Sequence, residues 1–190
     1  MDKIKAFEQE LNYIKDENIR KSLEIMINYI PDYFFHIAAS STGKYHPGYA
    51  LGDGGLIRHT KAAVRMAIEL FGIYKFKPEI KDLIIFSLVL HDSVKKGIIE
   101  EKYTRFDHPL IAVDFIKEHS KELTLNKEQL ELVCDCISSH MGKFNTSDYS
   151  NVILPLPKSV EQKFVHMCDY LASRKVIDVH FDKYNNVIEE

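Results

Sequence analysis

The chain has 190 residues, of which 45% are hydrophobic, and this favours one domain with a sizeable core. Its 25 basic and 28 acidic residues nearly balance, so a nucleic-acid substrate would have to be attracted by a local patch rather than by the whole chain. Three cysteines without a CxxC pair, a charged N-terminus and no apolar run of roughly 18 residues predict a cytoplasmic protein without a disulfide framework, a signal peptide or a membrane span.

Helical periodicity dominates the first part of the chain. Apolar residues three and four positions apart predict helices over 4–14 and 19–30, and Pro31 ends the second one. The polar, glycine-rich stretch 40–55 has no period and predicts a long loop. Loops of this kind are often functional.

Beyond that loop the pattern predicts an all-α bundle. Helices are expected over the ranges 56–71, 79–92, 110–120, 126–140 and 160–175, and the first of these is amphipathic. The stretch "EIKDLIIFSLVLHD" is apolar nearly all round, which is typical of a helix in the middle of a bundle. The tail is predicted as a short hairpin around Asn185-Asn186. We divide the chain into an N-terminal helical extension and loop (1–50) packed on the main domain, the main domain (51–178) and the tail (179–190).

Unusual polar residues fall at the ends or on the apolar faces of these helices. In chain order they are His59, His91, Asp92, His108, His140 and Asp169. Imidazole nitrogens and carboxylate oxygens are the preferred ligands of divalent ions such as Mn, Fe, Co and Ni. A buried carboxylate is costly unless it is paired or coordinated, and a bound cation would remove that cost.

Each of these residues also has an ordinary structural explanation. A lone histidine at a helix end is more often a cap or a hydrogen-bonded core group than a ligand. Asp107 could cap the helix that His108 opens, and the pair His91-Asp92 occurs often by chance. Spacing alone therefore does not decide between a metal site and a set of hydrogen-bonded core residues.

The ordered set resembles the HD superfamily of metal-dependent phosphohydrolases over roughly residues 54–175. The stretches "GGLIRHT", "HDSVKKG", "CISSHMGK" and "LPLPKSVEQKFVHMCDYLASRK" are similar to successive motifs of that superfamily. The resemblance implies that 51–178 is an HD-domain helical bundle. The chain is most similar to the HD domain of bacterial 3′→5′ exoribonucleases, with about fifty helical residues where those enzymes carry an OB-fold. It also resembles HD hydrolases of dinucleoside polyphosphates.

The resemblance implies two divalent metal ions, with Mn, Fe, Co, Ni or Mg as candidates. The ligand set of the first ion would be His59, His91, Asp92 and Asp169. The ligand set of the second would be Asp92, His108 and His140, so that Asp92 bridges. The implied activity is hydrolysis of a phosphoester or phosphoanhydride in a nucleotide or a nucleic-acid 3′ end, by a hydroxide that bridges the two ions.

Further residues are candidates for the chemistry. Lys95 lies one turn beyond the dyad if the helix continues, and the family's HDxxK pattern implies that it stabilises the transition state; a solvated lysine near a helix end is the alternative. His46, in the loop ahead of the two glycines, could act on the leaving group. Among candidate contacts to substrate phosphate, Lys143 and Arg174 are preferred over Arg58 because each follows a proposed ligand by three to five residues.

Other interpretations compete with an enzyme. One is a non-catalytic nucleotide-binding or regulatory HD module, and another is a helical partner protein that binds no metal. All six ligand positions are filled, which favours activity. His166, one turn before Asp169, is assigned to packing, with a substitute metal ligand or a residue that supports a ligand as the alternatives. The loop aromatics Tyr45, Tyr49 and Phe144 could stack on a base.

Overall fold

The computed structural model describes residues 2–40 and 43–188, so residues 41–42 of the predicted loop and 189–190 of the predicted tail lie outside it. The described chain is all-α, as the periodicity predicts. Its α-helices are α1 (Lys3–Ala6), α2 (Glu8–Tyr13), α3 (Glu17–Tyr29), α4 (Gly55–Leu70), α5 (Pro78–Leu90), α6 (His108–Glu118), α7 (Lys127–Ser138) and α8 (Val160–Ala172). Within these ranges no helix has both the length and the apolarity to cross a bilayer.

Short 3-10 turns lie between and after the α-helices. They cover Asp32–Phe35, Gly48–Ala50, Ser120–Glu122 and Lys175–Ile177. The predicted hairpin in the tail is present as a turn around Asn185, which has a φ of 66°, closed by one antiparallel bridge between Phe181 and Val187. A second isolated bridge joins Ser147 to Ser150, and strand pairing goes no further in the described residues.

Helix α5 is the central element of the bundle. It begins at Pro78, whose missing N–H is not needed in a first turn. Residues 82–90 are buried without interruption, as expected of a helix that is apolar on all sides. Helices α3, α4, α7 and α8 pack around it. The surrounding helices therefore hold the end of α5 in place, directly before His91 and Asp92.

The N-terminal helices share the hydrophobic core of the main bundle. Phe7 and Leu23 are fully buried within the same cluster as the side chains of α5. The carboxylate of Asp82, in α5, accepts hydrogen bonds from the backbone N–H groups of Lys15 and Asp16 at 3.0 and 2.8 Å. The extension is thus attached to the central helix by both apolar packing and buried hydrogen bonds.

The glycine pair before α4 allows a close approach of two backbone segments. A Cβ on Gly55 would lie 2.3 Å from the carbonyl oxygen of Ala50 and 3.0 Å from the Cα of Ala38. Only glycine fits there, and the preceding Gly54 has a φ of +67°. This contact fixes the start of α4, about one turn before His59.

The segment after α5 differs from the prediction. The helix was expected to continue through Asp92, but it ends at Leu90. Residues 91–100 form successive turns, in which the N–H of Lys95 donates to the carbonyl oxygen of Asp92 at 3.1 Å. Such i to i+3 bonds wind the chain more tightly than an α-helix. These turns place Lys95 next to Asp92, although the two residues are not part of an α-helix.

Candidate metal centre

The six polar residues predicted as ligands meet at one end of the bundle. They come from α4, from the chain that follows α5, from the first residue of α6, from the chain that follows α7 and from α8. Five of them are at most 2% exposed: His59, His91, Asp92, His108 and His140. The side chain of Asp169 is 16% exposed and lies at the edge of a cavity. The structure thus brings together every residue of the predicted set.

Asp92 stands between two groups of histidines. Its Oδ2 lies 3.6 Å from Nε2 of His91 and 3.9 Å from Nε2 of His59. Its Oδ1 lies 2.9 Å from Nε2 of His108 and 3.7 Å from Nε2 of His140. Each carboxylate oxygen therefore faces a different pair of imidazoles.

Asp169 completes the first of these groups. Its Oδ1 lies 2.9 Å from Nε2 of His59 and 3.4 Å from Nε2 of His91. Ligand atoms of His59, His91 and Asp169 lie within 4.8 Å of one another, and those of His91, Asp92 and His140 do so as well. Either trio could hold a metal ion.

Backbone carbonyls fix the tautomer of three imidazoles. In His91, His108 and His140, Nδ1 donates to the carbonyl oxygen three residues earlier, at 2.7, 2.7 and 2.8 Å. A carbonyl oxygen only accepts, so each neutral ring carries its proton on Nδ1 and presents the lone pair of Nε2 to the centre. Metal-ligating histidines are commonly oriented by a bond of this kind.

Several buried atoms at the centre have no hydrogen-bond partner in the described chain, namely Nδ1 of His59, Nε2 of His91 and Oδ1 of Asp92. Nε2 of His108 lies 2.9 Å from this Oδ1, but the neutral ring carries its proton on Nδ1, so the two atoms meet as lone pairs. Nε2 of His108 also lies 3.2 Å from Nε2 of His140, where two lone pairs would repel. Buried polar atoms are costly when unsatisfied, and a coordinated cation would satisfy this set. The donor set therefore fits divalent metal ions.

The ionisation of the cluster also suits metal binding. Burial, reinforced by His91, lowers the pKa of His140 to about 3 and keeps that ring neutral. Burial by itself would raise the pKa of Asp92, but Lys95, His91 and His108 outweigh it and hold that pKa well below its usual range. Burial opposes the low pKa of Asp169 too, and the hydrogen bond with His59, together with the charge of His91, overcomes it.

The pKa of His91 shifts in the opposite direction to that of His140. Burial lowers its pKa, but Asp92 and Asp169 outweigh burial and leave the pKa raised. A proton and a metal ion therefore compete for Nε2 of His91.

A cavity of about 130 Å³ opens beside the cluster. Lys95 lines it, with Nζ 2.5 Å from Oδ2 of Asp92. His46 lines it as well, and its ring centroid is 5.5 Å from that of His59. Burial, with His59 and Lys95 acting in the same direction, lowers the pKa of His46 to about 4. A neutral imidazole and an ammonium group thus face one cavity.

Of the three candidate phosphate contacts, two lie near this cavity. Arg174 lines it, and Lys143 lies next to Phe144, another lining residue. Arg58 is used elsewhere, because its Nε and Nη2 donate to the carbonyl oxygens of Tyr49 and Leu51 at 2.5 and 2.8 Å. Arg58 therefore holds the loop ahead of α4 and is not among the cavity residues.

The capping explanation for Asp107 is wrong. Asp107 occupies the N-cap position of α6, but its side chain makes no capping bond. Both carboxylate oxygens instead accept from the guanidinium of Arg105, at 2.9 and 2.8 Å. The hydrogen bond of His108 to the carbonyl of Arg105 comes from the same turn, which therefore orients His108 toward Asp92.

His166, which the sequence assigned to packing, also lines the cavity. Its Nδ1 donates to the carbonyl oxygen of His140 at 2.7 Å. Gly142 makes room for it, since a Cβ there would lie 2.2 Å from the ring, and Gly142 has a φ of +54°. His166 thus supports the turn that carries His140. The glycine in "HMGK" is the sequence signal that could have indicated this contact.

Comparison with known proteins identifies no relative. No protein-family model, curated protein or solved structure matches the chain.

Proposed function

We propose that the chain is a metal-dependent phosphohydrolase of the HD type. Its substrate would be a phosphoester or phosphoanhydride in a nucleotide or a nucleic-acid 3′ end. The observation that supports this most strongly is the position of Asp92, whose two oxygens face two different pairs of imidazoles. A carboxylate in that position can serve as the shared ligand of two ions.

The proposal assigns two ligand sets. The first ion would be held by His59, His91, Asp92 and Asp169. The second would be held by Asp92, His108 and His140. Sets of imidazole and carboxylate accept Mn, Fe, Co or Ni, and Mg remains a candidate where carboxylate and water dominate. Bound there, divalent ions supply an activated water and neutralise charge on the phosphoryl oxygens.

Residues of the chain itself have separate tasks in this proposal. Lys95 provides a positive charge at the cavity, where negative charge grows on the phosphoryl group in the transition state. His46 is neutral, and its one N–H can hydrogen-bond to the leaving oxygen. Helix α5 holds the dyad in place, so that little reorganisation is needed when substrate binds.

The double variant His91→Ala/Asp92→Ala tests this function. We expect elemental analysis of the purified wild-type protein to detect a divalent transition metal. In a panel of nucleotides and oligonucleotides, we expect hydrolysis that increases with added Mn²⁺. The double variant should lose both. The matched control is His180→Ala/Asp178→Ala, which removes an exposed histidine–aspartate pair 3.4 Å apart and should change neither.

The possible results separate the interpretations. Metal content and hydrolysis that are unchanged in the double variant would contradict the metal centre. Nucleotide binding without turnover under any metal would contradict an enzyme and favour a regulatory HD module instead.

A further inference from the structure

Two aromatic rings, those of Phe144 and Tyr170, line the cavity, and a third, that of Tyr45, lies beside Arg174, another lining residue. Phe144 and Tyr170 are nearly parallel, with an interplanar angle of 15° and ring centroids 6.2 Å apart. The guanidinium carbon of Arg174 is 4.4 Å from the centroid of Tyr170 and 5.4 Å from that of Tyr45. Tyr45 and Phe144 are 54% and 42% exposed, so a ligand can reach them.

These rings belong to anchored segments. The carbonyl oxygen of Tyr45 accepts from the N–H of Lys175 at 3.0 Å, and the N–H of Phe144 donates to the carbonyl oxygen of Met141 at 3.1 Å. Tyr170 is part of α8, one residue after Asp169. The rings are therefore held relative to the metal centre, and a ligand that stacks on them needs little ordering of the protein.

Two cationic side chains, those of Lys143 and Arg174, lie beside the rings. Nζ of Lys143 lies 5.3 Å from the centroid of Phe144 and 5.8 Å from that of Tyr170. Within residues 2–40 and 43–188, neither Lys143 nor Arg174 forms an ion pair with a carboxylate. In a chain with a net charge of −3, they supply the local positive patch that an anionic substrate requires.

The cavity is too small for a whole nucleotide. Its volume is about 130 Å³, whereas pockets that enclose a small organic ligand are about 300–1,000 Å³. The cavity can take a phosphoryl group next to Asp92 and Lys95. The remainder of the substrate must then extend over the rim, where Tyr45, Phe144 and Arg174 lie.

Two polar side chains near the rim already form hydrogen bonds within the protein. The amide of Asn145 donates to the carbonyl oxygen of Leu154 at 3.2 Å, and the hydroxyl of Ser173 donates to that of Tyr170 at 2.7 Å. Recognition of one base requires free donors and acceptors that match its edge. Stacking requires only a flat ring, which every base has.

We propose that Tyr45, Phe144 and Tyr170, with Lys143 and Arg174, form a base-stacking subsite for the substrate. The subsite binds a nucleobase and its adjoining phosphate, with little preference among bases. This inference depends on the proposed function, since it specifies the substrate class of the same cavity. The chemistry it recognises is a nucleoside phosphate, either free or at the 3′ end of a short oligonucleotide.

A fluorescent base tests the subsite without measuring turnover. The protein as purified is titrated with 2-aminopurine riboside 5′-phosphorothioate, a slowly hydrolysed analogue whose fluorescence falls when the base stacks. We expect quenching with the wild-type protein, and binding weaker by about five-fold or more in Phe144→Leu and in Tyr45→Leu. The matched control is Tyr149→Leu, since Tyr149 is 98% exposed and lies outside the rim. Circular dichroism establishes that each variant is folded.

Two further arms test the charge and the source of the ligand. Arg174→Gln should weaken binding of the phosphorothioate more than binding of the uncharged riboside. A short oligonucleotide with 2-aminopurine at its 3′ end is compared with the mononucleotide. Tighter binding of the oligonucleotide identifies a nucleic-acid end as the source, tighter binding of the mononucleotide identifies a free nucleotide, and both support the subsite.

Two outcomes would overturn the subsite. One is equal quenching in the wild-type protein and both leucine variants, even if the protein proves to be an active phosphohydrolase. The other is a strong preference for one base among AMP, GMP, CMP and UMP as competitors, because stacking tolerates every base. Conversely, quenching that depends on Phe144 in a protein without hydrolysis would support the subsite and contradict the proposed function.

Discussion

The carboxylate of Asp92 contacts a cation as well as four imidazoles. Nζ of Lys95 is 2.5 Å from the oxygen that also faces His59 and His91. In the proposed enzyme the same ammonium lies beside the bound phosphoryl group, where a charged donor strengthens as negative charge develops. Lys95 is therefore expected to act on the rate of the reaction more than on metal binding.

The variant Lys95→Met tests that division of roles. We expect kcat to fall by about 10²–10³, the usual effect of removing one donor to a developing anion, while the metal content stays unchanged. The measurement is steady-state hydrolysis together with elemental analysis. Lys96→Met is the matched control, because Nζ of Lys96 binds Glu100 at the surface at 2.9 Å. Equal kcat values in the two variants would exclude a catalytic role for Lys95.

At the scale of single residues, the sequence predicted which side chains converge but not all that they contact. Histidines and aspartates at the ends of apolar helices are conspicuous, because an unpaired polar group there is costly. The partner of Arg58 could not be predicted, since it binds backbone carbonyls of a loop with no period. The same holds for Asp107, whose carboxylate binds Arg105 two residues away instead of the helix it precedes.

At the scale of elements, the turns after α5 contain His91, Asp92 and Lys95. Tyr33, in the N-terminal extension, donates to the carbonyl oxygen of Gly97 at 2.6 Å and accepts from the N–H of Lys96 at 3.1 Å. Burial raises the pKa of its hydroxyl to about 12, so the phenol stays protonated near neutral pH. Tyr33 thus connects the extension to the turn that contains Lys95.

Tyr33→Phe should lower the free energy of unfolding by about 1–3 kcal/mol, because the substitution leaves two backbone groups without a partner. Denaturation by urea measures the change. Tyr29→Phe is the control, since the hydroxyl of Tyr29 binds Glu122 at the exposed surface, and its effect should stay within about 0.5 kcal/mol. If the two variants were equally stable, Tyr33 would not hold this turn.

Most helix positions followed from periodicity, and the exceptions have local causes. The predicted helix 4–14 is divided at Phe7, which leaves helical geometry with a φ of −111° and a ψ of 15°. Its ring packs at 6.1 Å from those of Phe34 and Phe35. A contact between segments that far apart in sequence has no signature in the periodicity of either one.

At the scale of the whole molecule, the N-terminal helices and the candidate metal centre depend on one core. Phe7, Leu23 and Phe34 are fully buried in the cluster that also contains the side chains of α5. Removing apolar volume from the extension should therefore weaken the entire bundle. The sequence suggested this packing, although it did not indicate which rings make the contact.

Phe7→Ala should cost about 3–5 kcal/mol of stability, the usual range for a fully buried phenylalanine. Thermal unfolding followed by far-UV circular dichroism and by tyrosine fluorescence should show one shared transition at a lower temperature. Ile73→Ala is the control, since Ile73 is 74% exposed and its truncation should change little. Two separate transitions, with only the first one shifted, would mean that the extension folds independently of the site.

The count of metal ions per chain tests the central claim, that Asp92 joins two metal sites. The apoprotein is reconstituted with Mn²⁺, dialysed and analysed, with circular dichroism to verify folding. We expect about two ions per wild-type chain, about one in His140→Ala, whose ring faces Oδ1 of Asp92, and one or fewer in Asp92→Ala, which removes the shared ligand. Equal metal content in all three proteins, or none in the folded wild-type protein, would contradict it.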